Sequence, residues 1–384
     1  MIYLDNAATT PLDPEVLDAM MPYLTTEYGN PGSLYAYGRL AKQAVDDARE
    51  MVAGFFTCKP EQIIFTSGGS EGNNMVIRGL AKTINDRERT NIIVSQTEHD
   101  SVWKACGYMA SEFTLIACAP DRNGVIPPDR VKRVISPDTG LVSIMYANNE
   151  TGAVNDVGEI AKLCKANGAF YHSDCVQAAG ILDLNTERIP ADFMTISAHK
   201  IGGPKGMGAI FARDPSILEP LIFGGAVQEF GYRGGTENVA GIVGMGNACR
   251  LAKKYIDINS EMLRAKQSQL IFVLKRVAQE DNVQMIINGD IENISPKVLS
   301  VCFPGVDAGS LQLTLDVMGI YISTGSACRA HENTPSRVLT SMGISDELAR
   351  NTIRISISHE TTDDEIIEAA RTIVKCASVL QSMR

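Results

Sequence analysis

The sequence lacks any long apolar run, and this absence limits where the chain can be placed. No stretch of the 384 residues approaches the roughly 20 apolar residues that a membrane-spanning helix requires. The amino-terminal residues MIYLDNAATTPLDPE contain neither a basic n-region nor an apolar h-region, so we expect no signal peptide. The expected location is therefore cytoplasmic.

The sequence also lacks an excess of basic residues and any Cys-x-x-Cys pair. Its 35 Lys and Arg against 45 Asp and Glu give a formal net charge of −10, which disfavours a general binder of nucleic acid or anionic membranes. The nine cysteines are scattered along the chain, so we expect no zinc ribbon and no resident metal. Several lie in apolar segments such as VLSVCF, which suits inert core thiols in a reducing compartment.

What the sequence does have is a regular alternation of strand-like and helix-like segments between about residues 61 and 212. Segments such as VGEIAKLCKANG carry helical spacing, which predicts an α/β fold with a largely parallel sheet and helices on both faces. Ligands are then expected at the carboxyl ends of the strands. The seven strand-like segments are EQIIFT, NIIVS, FTLIA, LVSIMYA, AFYHS, DFMTIS and MGAIFA.

A second region with a different pattern follows a long helical stretch from about Asn238 to Gln279. Short strands (VLSVCF, TIRISIS) mix there with helices (AGSLQLTLDVMG, DDEIIEAARTIVKCASVLQSM), which is typical of a smaller α+β domain. The chain is too long for one small core. We therefore predict a large domain over residues 16–258 and a small domain formed by residues 1–15 and 259–384.

Two of the predicted strands end in polar residues that suggest chemistry. The segment AFYHSD ends at Asp174, and Lys200 follows DFMTISAH just before a glycine-rich turn. Burial lowers the pKa of a lysine and makes its amine a nucleophile that can form a Schiff base. A neighbouring carboxylate is what a pyridoxal 5'-phosphate (PLP) site needs at the pyridine nitrogen. On these residues alone, a solvated Lys-Gly turn is an equal alternative.

Further candidates follow two other strand-like segments. Gly69 and Ser70 lie in a turn that opens the helix-like segment GNNMVIRGLAKTI, where backbone N–H groups and a hydroxyl can bind phosphate. A tight turn without a ligand is the alternative there. His99, in SQTEHDSV, can stack on a cofactor ring and move protons, although its position alone favours a solvated histidine near a helix start.

Three more polar residues are candidates for contacts with a ligand. Gln177 follows Asp174 by three residues, and either Gln177 or Asn149 could hydrogen-bond a phenolic oxygen. Arg354 lies in the strand-like segment NTIRISIS, and its guanidinium fork suits a substrate carboxylate. An ordinary surface ion pair is the alternative for Arg354.

Cys328 is the candidate nucleophile. It lies in ISTGSACRAHENTPSRVL, a polar segment in which the small residues Gly325, Ser326 and Ala327 precede it. Arg329 would favour the thiolate, which is the reactive form of the side chain. Because an exposed thiol without a use is a liability, an incidental loop cysteine is the less favoured alternative.

Ten motifs are spread over nearly the whole chain. They are YLDNAATTP, GNPGSLYAYGR, FTSGGSEGNN, TEHDSV, ANNETG, HSDCVQAAG, SAHKIGGPKG, RGGTEN, STGSACRA and ELARNTIRISIS. Together and in this order they resemble the cysteine desulfurases of the NifS and IscS type, the sulfur-mobilising branch of the class-V aminotransferase-like PLP enzymes. One such motif would be weak evidence, whereas ten in family order are specific.

The resemblance implies a fold-type I PLP-dependent transferase that acts as a homodimer. Lys200 would be the Schiff-base lysine, Asp174 would pair with the pyridine nitrogen, and Gln177 would pair with the phenolic oxygen. His99 would stack on the cofactor ring, and Asn149 would lie beside it. The phosphate would be held by Gly69, Ser70, Ser197 and His199, helped by Thr236 from the second subunit.

The resemblance also implies a reaction. Asn149 and Arg354 would orient L-cysteine, while Lys200, His99 and Cys328 would be the catalytic residues. Cys328 would accept the sulfur as a persulfide, and L-alanine would leave. The sulfur would then pass to an acceptor or scaffold protein for iron–sulfur cluster assembly or another thiolation, and Cys328 would meet a cluster only during that transfer. Neither nucleic acid nor a membrane is an expected partner.

The chain departs from the usual motifs at a few places. Tyr35 stands where a histidine is common, and a Gly-Gly-Ser-Glu-Gly turn replaces a Thr-Glu-Ser form. Asn155 and Gly234 stand where glutamine and serine are usual, and the loop GGAVQEFGYRGGT is one residue longer than typical. None of these changes removes the lysine, the aspartate or the nucleophilic cysteine.

Other functions remain open at this point. A selenocysteine lyase would use the same residues, and an aminotransferase would use the same cofactor site without needing a nucleophilic cysteine. A degenerate regulatory partner subunit would be expected to have lost Lys200 or Cys328, and this chain keeps both. A plain nucleotide-binding protein would explain only the glycine-rich turn.

Overall fold

The computed structural model describes residues 1–225, 227–325 and 334–382, so Cys328 lies outside the described residues. The strands are β1 (Ile2–Tyr3), β2 (Ile63–Thr66), β3 (Asn91–Ser95), β4 (Thr114–Cys118), β5 (Thr139–Ser143), β6 (Phe170–Asp174), β7 (Phe193–Ser197), β8 (Gly208–Ala212), β9 (Ile286–Asn288), β10 (Val298–Cys302), β11 (Ile320–Tyr321) and β12 (Thr352–Ser356). The helices are α1 (Pro14–Thr25), α2 (Ala36–Phe56), α3 (Gly69–Gly79), α4 (Ala81–Asp86), α5 (Asp100–Met109), α6 (Pro128–Val134), α7 (Val157–Ala166), α8 (Val239–Glu280), α9 (Ala308–Val317), α10 (Arg337–Ser341), α11 (Asp346–Arg350) and α12 (Asp363–Ser382).

A seven-stranded sheet carries the first half of the fold, in the order β2-β8-β7-β6-β5-β3-β4. The pairs β3–β4, β3–β5, β5–β6 and β6–β7 are parallel, whereas β8 runs antiparallel to both of its neighbours. The connection from β7 to β8 holds no long helix that could return the chain to the other end of the sheet, so β8 reverses direction. The prediction of an α/β fold with a mostly parallel sheet of these strands is confirmed.

The central strands are buried on both faces, as their nearly continuous apolar sequences indicate. Every residue of β5, β6, β7 and β8 is buried. On one face, Ile64, Ile92 and Val94 pack in a core cluster with residues of α3 and α5. On the other face, residues of α2, α7 and the first half of α8 form a second cluster. The central strands are thereby packed between two layers of helices.

Two predicted elements differ in extent from the observed ones. The strand predicted as LVSIMYA ends at Ser143, although the Ile144 N–H still bonds to the His172 carbonyl at 3.1 Å. The helix predicted from residue 72 begins at Gly69 and is divided after Gly79. The Gly79 carbonyl accepts the N–H of Glu219 at 2.9 Å, a contact with a distant segment that helical spacing cannot reveal.

The second region is built around α8 and two small sheets. The predicted helices are confirmed as α8, α9 and α12, and the predicted short strands as β10 and β12. An antiparallel sheet has the order β12-β10-β9, and β1 pairs in parallel with β11, so the start of the chain joins its last third. The division at residues 15/16 and 258/259 stays a prediction. Over the described ranges, no helix combines the length and the apolar character that crossing a membrane would need.

Candidate active site

A cavity of about 250 Å³ opens at the carboxyl end of the central strands. Asp174 is the last residue of β6, and Lys200 closes a 3-10 turn that directly follows β7. Because β6 and β7 are parallel neighbours, they bring the carboxylate and the amine to one edge of the sheet. The sequence-predicted residues that line the cavity are Gly69, Ser70, His99, Asn149, Asp174, Gln177, Ser197, His199, Lys200 and Arg354.

Two predicted site residues are not among those that line this cavity. Thr236 is exposed and lines a separate cavity with Ser67, Glu229 and Arg233. Its predicted contact requires a second subunit and therefore stays a prediction. Cys328 is outside the described residues, so its role also stays a prediction.

The Asp174 carboxylate is held in one orientation by two donors. It is 3% exposed, and its Oδ1 atom accepts the Val176 backbone N–H at 3.0 Å. Its Oδ2 atom accepts from the Asn73 amide at 2.7 Å. A buried carboxylate with both oxygens fixed in this way suits a single protonated ring nitrogen as its remaining partner.

A chain of hydrogen bonds links Asp174 to His99. The Asn73 amide nitrogen, besides contacting Asp174, lies 2.9 Å from Ser101 Oγ, and Ser101 Oγ lies 2.8 Å from His99 Nδ1. His99 is the N-cap of α5, and its Nδ1 atom accepts the Ser101 backbone N–H at 3.2 Å. The proton of a neutral His99 ring is therefore assigned to Nε2. The ring is fixed by the helix start and is not a solvated histidine.

The amino-terminal segment forms one wall of the cavity and contacts Lys200. The Lys200 Nζ atom donates to the carbonyl oxygens of Ala7 and Ala8, each at 2.6 Å. The Gln177 amide donates to the same Ala7 carbonyl at 2.9 Å. Two backbone carbonyls thus orient the amine towards the cavity, which excludes the alternative of a solvated Lys-Gly turn.

Positive charge is concentrated behind Lys200. Burial, together with the charges of Lys200, Lys205 and Lys297, lowers the pKa of His199 to about 4, so the ring is neutral at pH 7. Lys297 is 5% exposed and donates to the Lys200 carbonyl at 3.0 Å. Burial, followed by the charges of Lys200 and Arg354, lowers the pKa of Lys297 to about 7. An anionic ligand would relieve this excess of cations.

Arg354 approaches the cavity from β12. Its Nη2 atom contacts Asp5 Oδ1 at 2.6 Å, and its Nη1 atom donates to the Asn149 backbone carbonyl at 3.0 Å. The side chain of Arg354 is 3% exposed. The alternative of a surface ion pair is therefore wrong, since the guanidinium is buried between the amino-terminal segment and the Asn149 turn.

The residues present fit PLP. Gln177 Oε1 and Asn149 Oδ1 are buried at the cavity and have no hydrogen-bond partner in the described structure, as expected for groups that face a polar ligand. Gly69 lies at the start of α3, where orphan N–H groups suit a phosphate. A Cβ at Gly69 would meet Val176 Cγ2 at 2.7 Å, so only glycine allows this approach.

Sequence reasoning missed several residues that shape the site. Asn73 lies four residues after Gly69 on the same face of α3, and this spacing could have revealed it. Ser101 lies two residues after the N-cap histidine, a local spacing that could also have revealed it. Asp5 and the Ala7 and Ala8 carbonyls lie in the motif YLDNAATTP, but their contacts are made with residues almost two hundred or more positions away. No local pattern could have revealed them.

The chain is similar to known proteins over nearly its whole length. The family model described as aminotransferase class-V matches residues 2–368. A curated cysteine desulfurase IscS from Dictyoglomus turgidum is 39% identical over 383 residues, covering 97% of this chain and 96% of that protein. A solved NifS-like protein matches with a TM-score of 0.90 at 32% identity and covers 100% of both chains. The structure of SspA in complex with cysteine has a TM-score of 0.81 at 34% identity, covering 94% of this chain and 100% of that one.

The fold and the lysine–aspartate cavity define a fold-type I PLP-dependent enzyme, and the chain belongs to the aminotransferase class-V family. Its full-length curated relatives at 36–40% identity are cysteine desulfurases, so within that family it is a PLP-dependent cysteine desulfurase.

Proposed function

We propose that this chain removes sulfur from L-cysteine with the residues of the cavity and with Cys328, and that it delivers the sulfur to an acceptor protein. The observation that carries the proposal is the single cavity shared by Lys200, Asp174, His99 and Arg354. One structural relative, SspA, has been solved in complex with cysteine, which supports cysteine as the substrate.

PLP supplies an electron sink for the bond electrons that are released when the Cα–H bond of the substrate breaks. Asp174 would hold the ring nitrogen protonated, and the His99 ring would stack on the cofactor. Gln177 would donate to the phenolic oxygen through the amide N–H that the Ala7 carbonyl does not take, since its side chain borders the cavity. The phosphate would be bound by Gly69, Ser70, Ser197 and His199, with Thr236 contributed by the other subunit of a homodimer.

Lys200 would carry the proton between the substrate and its own amine. The Nζ atom lies between the Ala7 and Ala8 carbonyls, which hold it at the wall of the cavity. From there the neutral amine would take the Cα proton and later return a proton to the substrate. His99, with its proton on Nε2, would serve as a second proton donor at the same face.

Arg354 and Asn149 would fix the substrate carboxylate. The Arg354 guanidinium is already aligned by Asp5 and by the Asn149 carbonyl. Little side-chain entropy would therefore be lost on binding, and the fork would present its remaining edge to a planar carboxylate.

Cys328 would take the sulfur in the final step. Its thiolate would attack the substrate sulfur, so that an S–S bond forms, the C–S bond breaks, and the bond electrons and a proton pass to the former substrate carbon. The products are L-alanine and a persulfide on Cys328, which balances atoms and electrons without another reactant. The persulfide would pass to a scaffold protein for iron–sulfur cluster assembly, in the cytoplasm.

The test of the nucleophile is Cys328→Ala. This variant should keep the visible absorbance of the bound cofactor, while alanine formation from cysteine falls by about 100-fold or more, as for a lost catalytic group. Cys58→Ser is the matched control, because Cys58 is a half-buried thiol that does not line the cavity, and its replacement should leave the rate unchanged. Alanine formation at the wild-type rate in Cys328→Ala would contradict the assignment.

The test of the lysine is borohydride reduction followed by peptide mass analysis. The wild-type protein should carry the cofactor mass on the peptide that contains Lys200, because only a Schiff base is trapped in this way. Lys200→Ala should carry none. Cofactor trapped on another lysine in the wild type would overturn the assignment.

A further inference from the structure

The first two residues of the α10 region contact two different turns of the cavity. Arg337 opens α10, and Ser336 is its N-cap. One turn holds His99 and the other holds Asn149. Both contacts are made by residues that follow Cys328 closely in the chain.

Arg337 binds two backbone carbonyls of the turn that precedes His99 and the side chain of the residue that follows it. Its Nη1 atom donates to the Gln96 carbonyl, and its Nη2 atom donates to the Glu98 carbonyl at 2.7 Å. The same Nη2 atom lies 3.3 Å from Asp100 Oδ1, and Asp100 is the first residue of α5. A planar fork with several fixed donors can satisfy this set of acceptors, whereas a lysine ammonium cannot reach all three in one plane.

Arg337 is also covered rather than free to swing. Its side chain is 19% exposed, and its guanidinium carbon lies 4.5 Å from the centre of the Trp103 ring, which is part of α5. Trp103 and His99 are joined by the first turn of α5, because the Trp103 N–H bonds to the His99 carbonyl at 3.0 Å. The arginine therefore contacts the start of α5 by hydrogen bonds, by charge and by a cation–π contact.

Ser336 makes the second contact. Its hydroxyl donates to Glu150 Oε2 and also accepts the Leu339 N–H, so it caps α10 while it holds Glu150. Glu150 is 8% exposed, follows Asn149 directly, and has its own N–H bonded to Asn148 Oδ1 at 2.8 Å. An atom of the Glu150 carboxylate would also lie 3.4 Å from a Cβ at Gly325.

The chain on the other side of Cys328 is joined to the cavity as well. Ser323 and Arg354 exchange backbone hydrogen bonds, at 3.1 Å from Ser323 N and 2.7 Å from Arg354 N. The described residues on both sides of the nucleophile are therefore bonded to elements that carry His99, Asn149 or Arg354.

We propose that Arg337 and Ser336 are positioning residues that set the register of α10 against the turns of His99 and Asn149. They thereby determine how fast sulfur reaches Cys328, and Arg337 in addition fixes the His99 ring. This inference rests on the proposed function of Cys328. Neither residue binds the cofactor or the substrate.

Sulfur arrival is measured in a single turnover. Holoenzyme is mixed with one equivalent of L-cysteine, the reaction is quenched with an alkylating agent, and the persulfide on Cys328 is counted by mass spectrometry. Arg337→Gln should form the persulfide about 10- to 100-fold more slowly, because a displacement of about 1 Å costs that much. Ser336→Ala should be about 5-fold slower, the effect of one hydrogen bond. KM for cysteine should change by less than about 3-fold in both variants, since neither side chain lines the cavity.

Two matched controls separate register from general stability. Arg130→Gln removes a guanidinium that also donates to two backbone carbonyls, those of Ala119 and Pro120, at a distance from the cavity lining. Ser345→Ala removes the N-cap hydroxyl of α11, which accepts the Leu348 N–H as Ser336 accepts that of Leu339. Both controls should form the persulfide at the wild-type rate.

A spectroscopic readout distinguishes the two contacts. The visible circular dichroism band of the bound cofactor should change in Arg337→Gln, because the stacked His99 ring shifts, and should stay unchanged in Ser336→Ala. Arg337→Lys, which keeps the charge, should recover only part of the persulfide rate. If Arg337→Gln does not fold, Arg337→Lys and Ser336→Ala carry the same test.

The outcomes separate this inference from the function on which it rests. If the wild-type protein forms no persulfide on Cys328, the proposed function is wrong. If the wild type forms it and both α10 variants form it equally fast, only the inference is overturned. Loss of bound cofactor from Arg337→Gln, with Arg130→Gln unaffected, would also overturn it, because the role would then be in cofactor binding.

Discussion

Among the described residues, two ion pairs that a buried arginine makes with a carboxylate have the same closest distance but different surroundings. Arg49 and Glu229 meet at 2.6 Å with side chains 5% and 3% exposed, and Arg354 and Asp5 meet at 2.6 Å with side chains 3% and 18% exposed. We call the first pair enclosed because Arg49 lines neither the active-site cavity nor the separate cavity that Glu229 borders near Thr236, and we call the second pair open because Arg354 lines the active-site cavity. The same kind of ion pair can therefore stabilise the fold at one place and align a residue for ligand binding at another.

The enclosed pair is bidentate. Arg49 bonds to both Glu229 oxygens and to the Ile63 carbonyl, and Glu229 Oε2 also accepts the Phe65 N–H. The Arg49 guanidinium carbon also lies 4.8 Å from the centre of the Phe65 ring and 4.9 Å from that of the Phe230 ring. Arg49 is not among the residues that line the active-site cavity.

The open pair is made through single contacts. Arg354 gives one N–H group to Asp5 and another to the Asn149 carbonyl, and its side chain lines the cavity. A guanidinium aligned by single contacts keeps an edge for a planar anion. Whether a buried arginine can bind a ligand therefore depends on how many of its guanidinium N–H groups are already bonded within the protein.

The largest expected effect comes from opening the enclosed pair. Glu229→Gln should lower the free energy of unfolding by about 3–5 kcal/mol, because it leaves the buried Arg49 charge uncompensated. Urea unfolding of the holoprotein measures this loss. The double variant Arg49→Leu/Glu229→Leu should lie closer to the wild type, since no lone charge remains. If Glu229→Gln lowered the free energy of unfolding by less than about 1 kcal/mol, the enclosed pair would not have the structural role that distinguishes it from the open pair.

A change in the open pair should weaken binding of the substrate. Asp5→Asn should raise KM for L-cysteine by about tenfold, or about 1.4 kcal/mol, with a smaller change in kcat, because the Arg354 fork loses its alignment. Steady-state kinetics at saturating cofactor measure it. Glu229→Gln is the matched comparison and should leave KM unchanged. A larger rise in KM for Glu229→Gln than for Asp5→Asn would reverse the assignment of the two pairs.

Lys297 is a third kind of buried cation, because in the described structure no carboxylate lies within ion-pair distance of it. Its pKa falls from the usual 10.5 to about 7, so between these values the unfolded chain binds a proton that the native chain does not. Native stability should therefore rise with pH over this window and be lowest at and below pH 7. From pH 7 to pH 8 the expected gain is about 1 kcal/mol.

The measurement is urea unfolding of the wild type and Lys297→Met at both pH values. Lys297→Met should show no such gain, because the titrating group is absent, and other titrations cancel in the difference. Equal pH dependence in the two proteins would contradict the lowered pKa. This is the smallest of the three expected effects. A carboxylate paired with Lys297, as Glu229 is paired with Arg49, would keep the lysine charged and abolish this pH dependence.

The positions of Asp174 and Lys200 in the cavity could be predicted from the sequence, because the signals that indicate them lie in neighbouring residues of the chain. Asp174 and Lys200 each follow an apolar run directly, and parallel pairing of such strands brings their ends together. His99 was the exception, since its position alone favoured a solvated side chain. Its bond to Ser101 is local and lies within the motif TEHDSV, but the continuation through Asn73 to Asp174 depends on packing of α3 against α5 that no single motif contains.

The contacts of the amino-terminal segment and of α10 with the cavity could not be predicted in the same way. Asp5 and Arg354 are 349 residues apart in the chain, and Arg337 and Gln96 are 241 apart. Neither strand spacing nor a turn signal reveals contacts between residues so far apart in the chain. The motif YLDNAATTP could therefore be recognised as a family motif, but the sequence alone did not show what its residues contact. The division of α3 from α4 was missed as well, and at that point the Gly79 carbonyl bonds to Glu219, a residue far away in the chain.

The contact between Asp5 and Arg354 also has a consequence for biosynthesis. A ribosome that adds about 5–20 residues per second needs roughly 20–70 s to pass from one residue to the other, given their separation of 349 residues. Until then the amino-terminal segment has no β12 beside it, and the carbonyls that orient Lys200 are not yet held in place. The nascent chain can complete its central sheet early, whereas the wall that the amino-terminal segment forms around Lys200 is fixed against β12 only near the end of translation.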